Sequence, residues 1–168
     1  MKLNKFIKNV QGWDNHRPLL FWALEQTKES NLPILEMGCG EGSTPYLTEY
    51  CKKNKKHLIS YDYSKEWAEK YNAIHVTDWD SINHEQYSVI LIDHSPGERR
   101  YIDIDKLKDK CEYMVIHDTE PAATGYMYDK IWNLFHYRKN LKTEGAWASI
   151  VSRKNEIPQI NIKGFNIE

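Results

Sequence analysis

The stretch Pro33-Ile34-Leu35-Glu36-Met37-Gly38-Cys39-Gly40-Glu41-Gly42 decides the fold class of this 168-residue chain. Residues 33–37 form a short, mostly apolar run, which predicts a buried β-strand. Three glycines at alternate positions follow it, and residues 44–53 then have helical spacing, with Pro45 suited to the first turn. Glycines between a strand and a helix N-terminus let free backbone N–H groups approach a ligand closely. The stretch therefore predicts a ligand-binding loop.

Further apolar runs rich in Ile, Val and Leu follow along the chain and alternate with segments of helical period. The predicted strands after the first are residues 57–61, 73–76, 87–92, 113–116, 146–151 and 159–162. This alternation is typical of a mostly parallel sheet covered by helices. We therefore expect an α/β, Rossmann-like, doubly wound fold with helices on both faces of a seven-stranded sheet.

Four more segments are predicted helices. They cover residues 18–28, 64–71, 103–110 and 125–138. Ser64 is a candidate N-cap for the second of them. The last has the clearest pattern, because the side chains of Met127, Ile131, Leu134 and Phe135 fall on one helical face. The helix at 18–28 precedes the first strand, and we expect it to pack on the edge of the sheet.

The composition argues against several classes of function. With 23 basic and 24 acidic residues and a pI near 6.7, the overall charge gives no support for nucleic acid as a partner. No stretch approaches the roughly 20 apolar residues of a membrane span, and residues 1–12 lack the apolar core of a signal peptide. Cys39, Cys51 and Cys111 lack CxxC spacing and suit a reducing compartment. We expect a cytoplasmic protein without membrane association.

Two details of the glycine loop indicate which ligand it binds. A dinucleotide fingerprint G-x-G-x-x-G would place glycine at position 43, where this chain has Ser43. Glu36 ends an otherwise apolar strand, and its carboxylate would repel a pyrophosphate but attract a positive amino group. S-adenosylmethionine carries an ammonium, a carboxylate and a sulfonium, so its charges suit one acid beside a glycine turn.

The loop resembles the first motif of the class I S-adenosylmethionine-dependent methyltransferases, E/D-x-G-x-G-x-G, with Glu36, Gly38, Gly40 and Gly42 at the matching positions. The resemblance implies that these residues bind that cofactor. The length is that of one domain. We expect a single methyltransferase domain over residues 1–168, in which 1–30 form an N-terminal lid and helix and 31–168 form the cofactor-binding core.

Three residues further along the chain are candidates for binding the same cofactor. Asp62 lies 20 residues beyond Gly42, at the end of the second predicted strand, where a carboxylate can accept both ribose hydroxyls. The resemblance assigns Asp62 the same role. It also places adenine contacts after the third strand, at Asp78 and Trp79. Trp79 suits the hydrophobic core equally well.

Acid–base side chains end the fourth and fifth predicted strands, where an open parallel sheet binds its ligands. Asp93 and His94 follow one strand, and His117 and Asp118 follow the other. These four catalytic candidates could deprotonate an acceptor hydroxyl, hold a divalent metal ion, or make loop hydrogen bonds only. Some metal-dependent O-methyltransferases carry acids at these strand ends, but His117-Asp118 replaces their acid–acid or Asp–Asn pair.

Other residues near this side of the sheet are substrate candidates. Arg99 and Arg100 follow the fourth strand and could grip a carboxylate or phosphate of the acceptor, or form an ordinary surface pair. Trp13 and His16 precede the first helix in a segment that, by the resemblance, folds over the cofactor as a lid. The adjacent Asp14-Asn15 pair is more simply read as a helix cap.

The predicted function is methyl transfer from S-adenosylmethionine to oxygen on a small-molecule or sugar-like acceptor. The fourth strand ends in Asp93-His94-Ser95-Pro96, which is not the D/N-P-P-Y signature of amino-methylating enzymes. One alternative is a protein that binds the cofactor without turnover, and another is an enzyme that consumes S-adenosylmethionine by a non-methylating route. A homodimer could complete the acceptor pocket. The sequence leaves the acceptor and metal dependence open.

Overall fold

A mixed sheet forms the centre of the protein. The computed structural model describes residue 10 and residues 12–82 and 85–168, so residues 1–9 and 11 of the predicted lid lie outside the described part. Within it, the strands are β1 (Ile34–Met37), β2 (Leu58–Asp62), β3 (Ile74–His75), β4 (Tyr87–Ile92), β5 (Cys111–His117), β6 (Tyr137–Lys142), β7 (Trp147–Ser152) and β8 (Asn166–Ile167).

Helices connect these strands and cover the sheet. Within the described residues the α-helices are α1 (Arg17–Gln26), α2 (Thr44–Asn54), α3 (Lys65–Tyr71) and α4 (Arg100–Leu107). Short 3-10 helices span Gly12–Asp14, Trp79–Ser81, Gly97–Arg99, Thr124–Tyr126, Tyr128–Lys130 and Trp132–Leu134. Ser64 caps α3 by accepting a hydrogen bond from the backbone N–H of Trp67, as predicted. Helix α4 begins three residues earlier than the predicted 103–110.

The strand order is β3-β2-β1-β4-β5-β7-β6-β8. Strands β1 to β5 run parallel, while β7 is antiparallel to β5 and to β6, and β8 is antiparallel to β6. The predicted mostly parallel, doubly wound α/β sheet is confirmed, with eight strands rather than seven. The winding direction reverses between β1 and β4, so the carboxyl ends of these two neighbours form the switch point at which such sheets bind ligands.

Both faces of the central strands are buried, because parallel strands lie between two helical layers. Leu35 and Met37 of β1 pack in the core on the α4 side, whereas Ile34 packs in the core on the side of α1 and α2. Helix α1 contacts β4, β5 and β7. The expectation that it packs on the sheet edge was therefore wrong, because its buried leucines cover the middle of one face.

The predicted helix at 125–138 does not form. Three single 3-10 turns replace it, and Met127 between two of them has a left-handed backbone (φ 56°), which interrupts any helix. Ile131 and Phe135 are buried as the helical pattern requires, but Met127 is partly exposed. From Tyr137 onward the chain pairs with β7 as strand β6. Strand pairing thus replaces the last two residues of the predicted helix, and the left-handed Met127 interrupts its first turn.

The end of the chain also differs from the prediction. The strand expected at 146–151 is present as β7, but residues 159–162 form no strand. Ile160 and Ile162 are buried in the core beside α1, which explains their alternating pattern. The short final strand is instead β8, paired with β6. Alternating polar and apolar residues favour a strand here, although no neighbouring strand supplies the hydrogen bonds.

Gly38 fits its position for two independent reasons. Its backbone is left-handed, with φ of 92°, which an L side chain rarely adopts. A Cβ at Gly38 would also lie 2.5 Å from the backbone oxygen of Asp93. The missing side chain therefore lets the glycine loop after β1 approach the end of β4.

Gly38→Ala is expected to lower the free energy of unfolding by roughly 2–5 kcal/mol, from backbone strain and overpacking together. Gly145→Ala is the matched control, because Gly145 has φ of 93° but nothing among the described residues within 4 Å of the Cβ position. That control should lose only about 1–2 kcal/mol. Urea denaturation of both variants measures the difference, and equal losses would contradict the close approach to β4.

Candidate functional site

Two adjoining cavities lie at the carboxyl ends of the central strands. The first, the loop cavity, has a volume of about 280 Å³ and is lined by Trp13, His16, Gly40, Glu41, Gly42, Ser43, Trp67 and Asp93. The second, the strand-end cavity, has a volume of about 540 Å³ and is lined by Trp13, Asp93, His117, Asp118, Glu120, Glu144, Gly145 and Ala146. Trp13 and Asp93 line both cavities and therefore mark the place where they meet.

Glu36 lies beneath the glycine loop and is fully buried. One carboxylate oxygen accepts hydrogen bonds from the hydroxyls of Ser43 (2.6 Å) and Thr44 (3.0 Å), and the other accepts from Ser60 (2.6 Å). Burial raises the pKa of Glu36 to about 7, although the three hydroxyls lower it. In this structure the carboxylate ties the loop to the start of α2 and to β2.

Asp62 ends β2 and also supports the loop. One of its oxygens accepts a hydrogen bond from the backbone N–H of Cys39 (2.7 Å), and the other accepts from that of Ser64 (2.7 Å). Each carboxylate oxygen has a second lone pair. Asp62 therefore orients the glycine loop and the start of α3, and it keeps acceptor capacity toward a ligand.

The described part of the segment that the sequence predicted to be a lid packs on the third glycine. A Cβ at Gly42 would lie 2.9 Å from Cβ of Asp14 and 3.3 Å from the backbone oxygen of Trp13. Asn15 donates a hydrogen bond to the Thr143 hydroxyl (3.2 Å), which anchors the lid to the loop before β7. The reading of the Asp14-Asn15 pair as a helix cap was wrong, because His16 occupies the N-cap of α1 and Asp14 pairs with Arg17.

The candidates at the ends of β4 and β5 are joined through Arg100. The guanidinium lies 3.1 Å from Asp93 and 3.1 Å from Asp118, and Asp93 is also 3.0 Å from Nδ1 of His117. Asp118 has a left-handed backbone (φ 54°) and accepts a hydrogen bond from the Tyr126 hydroxyl (3.1 Å). This network fixes the carboxylates of Asp93 and Asp118 at the floor of the strand-end cavity.

Burial and charge act on these groups in opposite directions. Burial disfavours the charged form of Asp93, but the His117 ring and the Arg100 guanidinium outweigh it, so the pKa of Asp93 is lowered. Burial alone would lower the pKa of His117, but Asp93 raises it overall. Burial, assisted by the neighbouring His117, lowers the pKa of His16 to about 3. The cluster therefore favours an ionised Asp93 beside a neutral His16.

His94 and Trp79 lie in the interior instead of in a cavity. His94 is 1% exposed, its Nε2 lies 3.0 Å from Asp103, and its ring packs 4.4 Å from that of Trp79. Trp79 is buried and donates its indole N–H to the backbone oxygen of Ser95 (2.9 Å). These contacts favour the core reading of Trp79 and a structural role for His94. Asp78 is exposed and caps the following 3-10 helix.

Neither arginine extends toward an acceptor. Arg99 pairs with Asp80 and with Asp103, so it links the loop after β3 to α4. Arg100 is buried and holds Asp93 and Asp118. Both guanidinium groups are engaged in ion pairs within the chain, and neither arginine lines the loop cavity or the strand-end cavity, so their role as acceptor-binding residues stays a prediction.

Several residues of the cavities were not among the predicted site residues. Trp67 lines the loop cavity from α3, stacks on Tyr71, and lies beneath the ammonium of Lys70 (4.5 Å). Glu120 and Glu144 line the strand-end cavity. A Trp on the predicted helix directly after the strand that ends in Asp62 is a sequence signal that could have identified Trp67. Glu144 is brought in by the turn between β6 and β7, which the sequence did not predict.

Comparison with known proteins rests on structure alone. No protein-family model and no curated protein matches the sequence. The catalytic domain of human METTL16 in complex with MAT2A 3′UTR hairpin 1 matches with a TM-score of 0.56 at 10% identity, over 87% of this chain and 72% of that one. The plantazolicin methyltransferase BpumL in complex with SAH matches with a TM-score of 0.54 at 16% identity, over 84% of this chain and 83% of that one.

An rRNA methylase from Streptococcus thermophilus also matches, with a TM-score of 0.52 at 11% identity over 80% of this chain and 96% of that one. The chain has the class I methyltransferase fold. In this fold the glycine loop and the ends of β4 and β5 line the two cavities, and Asp62 supports the loop through the backbone N–H of Cys39. Within the described residues, no helix is both long and apolar enough to span a bilayer.

Because of Glu36, the free energy of unfolding is expected to fall as the pH rises. Its pKa in the folded protein is about 7, against 4.5 for an ordinary glutamate, so the unfolded chain releases this proton first. Between pH 4.5 and 7 the free energy of unfolding should fall by up to about 3 kcal/mol from this group. Denaturation of the ligand-free protein and of Glu36→Gln at pH 5 and pH 8 measures it. The stability of Glu36→Gln relative to wild type should be higher at pH 8 than at pH 5. A stability difference between the two proteins that does not change with pH would contradict the raised pKa of Glu36.

Proposed function

We propose that this protein is an S-adenosylmethionine-dependent methyltransferase that methylates oxygen on a small, hydroxylated, sugar-like acceptor. The observation that carries the proposal is the meeting of the loop cavity and the strand-end cavity at Asp93 and Trp13. A cofactor along the glycine loop and an acceptor at the strand ends would share this boundary. Methyl transfer is an in-line displacement, which requires two such adjoining sites.

The loop cavity suits the cofactor. The Cβ position of Gly40 is open, since the nearest atom among the described residues is the Gly42 nitrogen at 4.0 Å. A ligand can therefore approach the backbone at Gly40, next to the N-terminus of α2. We assign the cofactor to Glu36, Gly38, Gly40, Gly42 and Asp62, with the first two shaping the loop. The SAH complex of BpumL, which has the same fold, supports the choice of cofactor.

The charge of the strand-end cavity favours an acceptor without phosphates. Four carboxylates line it, from Asp93, Asp118, Glu120 and Glu144. The guanidinium of Arg100 offsets only part of this charge, because it lies behind Asp93 and Asp118. Acidic walls repel a nucleic acid backbone, which binds through basic groups. The METTL16 and rRNA methylase structures show that this fold acts on RNA elsewhere, yet the charge here favours a neutral polyol.

A third cavity extends the acceptor site. It has a volume of about 440 Å³ and shares Glu120 with the strand-end cavity. Trp132 and Trp147 line it, and the Arg138 guanidinium lies 3.4 Å above the Trp132 ring. Aromatic faces beside carboxylates offer both apolar contact and hydrogen-bond acceptors. This combination suits a hydroxylated ring with apolar C–H faces, so it supports a sugar-like acceptor.

We assign the chemical step to Asp93, with His117 as the residue that positions it. The acceptor oxygen attacks the methyl carbon, a C–O bond forms, the C–S bond breaks, and S-adenosylhomocysteine leaves. The hydroxyl proton passes to Asp93, whose side chain is 24% exposed at the boundary of the two cavities. The free ring nitrogen of His117 is buried, so it does not reach the acceptor directly.

Gly40→Val is expected to abolish cofactor binding while leaving stability close to that of wild type. The valine side chain would fill the loop cavity without meeting protein atoms at the Cβ position. Calorimetry with S-adenosylhomocysteine should show binding to wild type and at least about 100-fold weaker binding to the variant. Gly125→Ala is the control, since Gly125 has open surroundings and does not line the loop cavity. No heat with wild type at sub-millimolar ligand would overturn the cofactor assignment.

Asp93→Asn is expected to lower the rate of methyl transfer by about 10²–10⁴-fold, because the amide cannot accept the proton. S-adenosylhomocysteine affinity should change by less than about tenfold. The assay measures S-adenosylhomocysteine release with a panel of sugars, other polyols and short RNAs, and mass spectrometry identifies the spent cofactor. Methylation of RNA alone would contradict the acceptor class. Methylthioadenosine or homoserine lactone as the product would instead indicate a non-methylating enzyme.

A further inference from the structure

Three potential metal ligands converge between the two cavities. His16 comes from the lid at the start of α1, Asp93 from the end of β4 and His117 from the end of β5. Each offers one ligand atom, and these three atoms lie within 4.8 Å of one another. A single ion with bonds of about 2.0–2.2 Å can join them after a small movement of the side chains.

The two histidines are buried with unused ring nitrogens. Within the described residues, neither nitrogen of His16 makes a hydrogen bond, and Nε2 of His117 makes none either. The Gly42 backbone lies near enough to favour the charged His16 ring weakly, but no hydrogen bond of normal geometry joins them. The rings of His16 and His117 meet edge to face, with centroids 4.9 Å apart. A buried polar nitrogen without a partner is unfavourable, so the pair calls for a ligand.

We propose that His16, Asp93 and His117 together bind one divalent transition-metal ion. Two imidazoles and one carboxylate are the ligand set of many Zn²⁺ and non-haem Fe²⁺ sites, in which the remaining positions stay open to substrate. Imidazole nitrogen favours such metals, whereas Mg²⁺ and Ca²⁺ prefer oxygen ligands throughout. The site therefore selects ions such as Zn²⁺, Fe²⁺ or Co²⁺ over Mg²⁺.

The surroundings of the cluster support this assignment. Arg100 holds Asp93 from the other side at 3.1 Å and is itself held by Asp118. Nδ1 of His117 lies 3.0 Å from Asp93, which orients the ring and leaves Nε2 free. Outer contacts of this kind orient metal ligands and restrict their movement. Asp93 and His117 are therefore fixed in advance, and only His16 arrives with the lid.

The ion would have two effects. It would join the lid to the ends of β4 and β5 by direct bonds, since His16 belongs to the lid. When bound, it would also lie beside the assigned acceptor oxygen and lower the pKa of that hydroxyl, so that the proton could leave to solvent and Asp93, then a ligand, would not be needed as the proton acceptor. The inference goes beyond the proposed function, because the ion binds whether or not the protein transfers methyl groups.

The first experiment measures metal binding without cofactor or acceptor. The untagged full chain is treated with chelator and titrated by calorimetry with Zn²⁺, Co²⁺, Mn²⁺ and Mg²⁺, and bound metal is counted by elemental analysis. We expect one transition-metal ion per chain and at least about 100-fold weaker binding of Mg²⁺. Absence of stoichiometric transition-metal binding by the wild-type chain would overturn the proposal, whatever the methyl-transfer assays show.

The second experiment locates the ion. His16→Ala and His117→Ala should each weaken Co²⁺ binding at least about 100-fold, whereas His57→Ala, an exposed histidine before β2, should leave it unchanged. Retained affinity in His16→Ala or His117→Ala would overturn the proposal and place the ion elsewhere on the surface. Circular dichroism checks folding. If both variants unfold, the visible spectrum of the wild-type Co²⁺ complex decides, since a spectrum without nitrogen ligation would equally overturn the site.

Discussion

The buried guanidinium of Arg100 is the interaction on which the site depends. It lies between the carboxylates of Asp93 and Asp118, which end two neighbouring parallel strands. The two negative carboxylates repel each other where little water screens them, and the positive guanidinium between them offsets that repulsion. It also donates a hydrogen bond to the backbone oxygen of His94 (2.7 Å). Removing one member of such a buried network leaves an uncompensated charge, at a cost of about 3–5 kcal/mol.

Close backbone approach is the second constraint, and it links the loop to the lid. Gly38 lets the loop touch the end of β4, and Gly42 lets the lid at Asp14 touch the loop. Asn15 then ties the lid to Thr143. The glycines of the motif therefore have different roles. Gly38 and Gly42 allow protein segments to meet, and only Gly40 leaves open space at its Cβ position.

The same fold carries different acceptors in its structural neighbours, because function depends on the site rather than on the fold. In this chain the site combines the carboxylates of the strand-end cavity, the indoles of Trp132 and Trp147, and the imidazoles of His16 and His117. They come from the ends of β4 and β5, from later segments of the chain and from the start of α1. Side chains at strand ends and in loops are the ones that most often carry function on a rigid scaffold. The class of acceptor therefore depends on the local charge and shape of the site.

The sequence by itself determined the parallel core, the glycine loop and the acids at the strand ends. Those features are local: apolar runs, glycines and a helix start are readable from neighbouring residues, and strand ends carry ligands in any open parallel sheet. The sequence also predicted a helix at 125–138, where strand pairing with β7 and the left-handed Met127 prevail. Nor did the sequence reveal that Arg99 and Arg100 pair with acids on other elements, because charge alone does not identify a partner that is distant along the chain.

Only the tertiary structure decided which of the predicted residues meet. His16, 77 residues before Asp93, reaches it because α1 lies across the middle of the sheet, and His117 reaches it because β4 and β5 are neighbours. His94, adjacent to Asp93 in sequence, points instead into the core beside Trp79. Successive side chains at a strand end face opposite sides, so one residue enters the cavity and the next is buried. The packing of the strand against its neighbours decides which of the two residues faces the cavity, and no local sequence pattern encodes that packing.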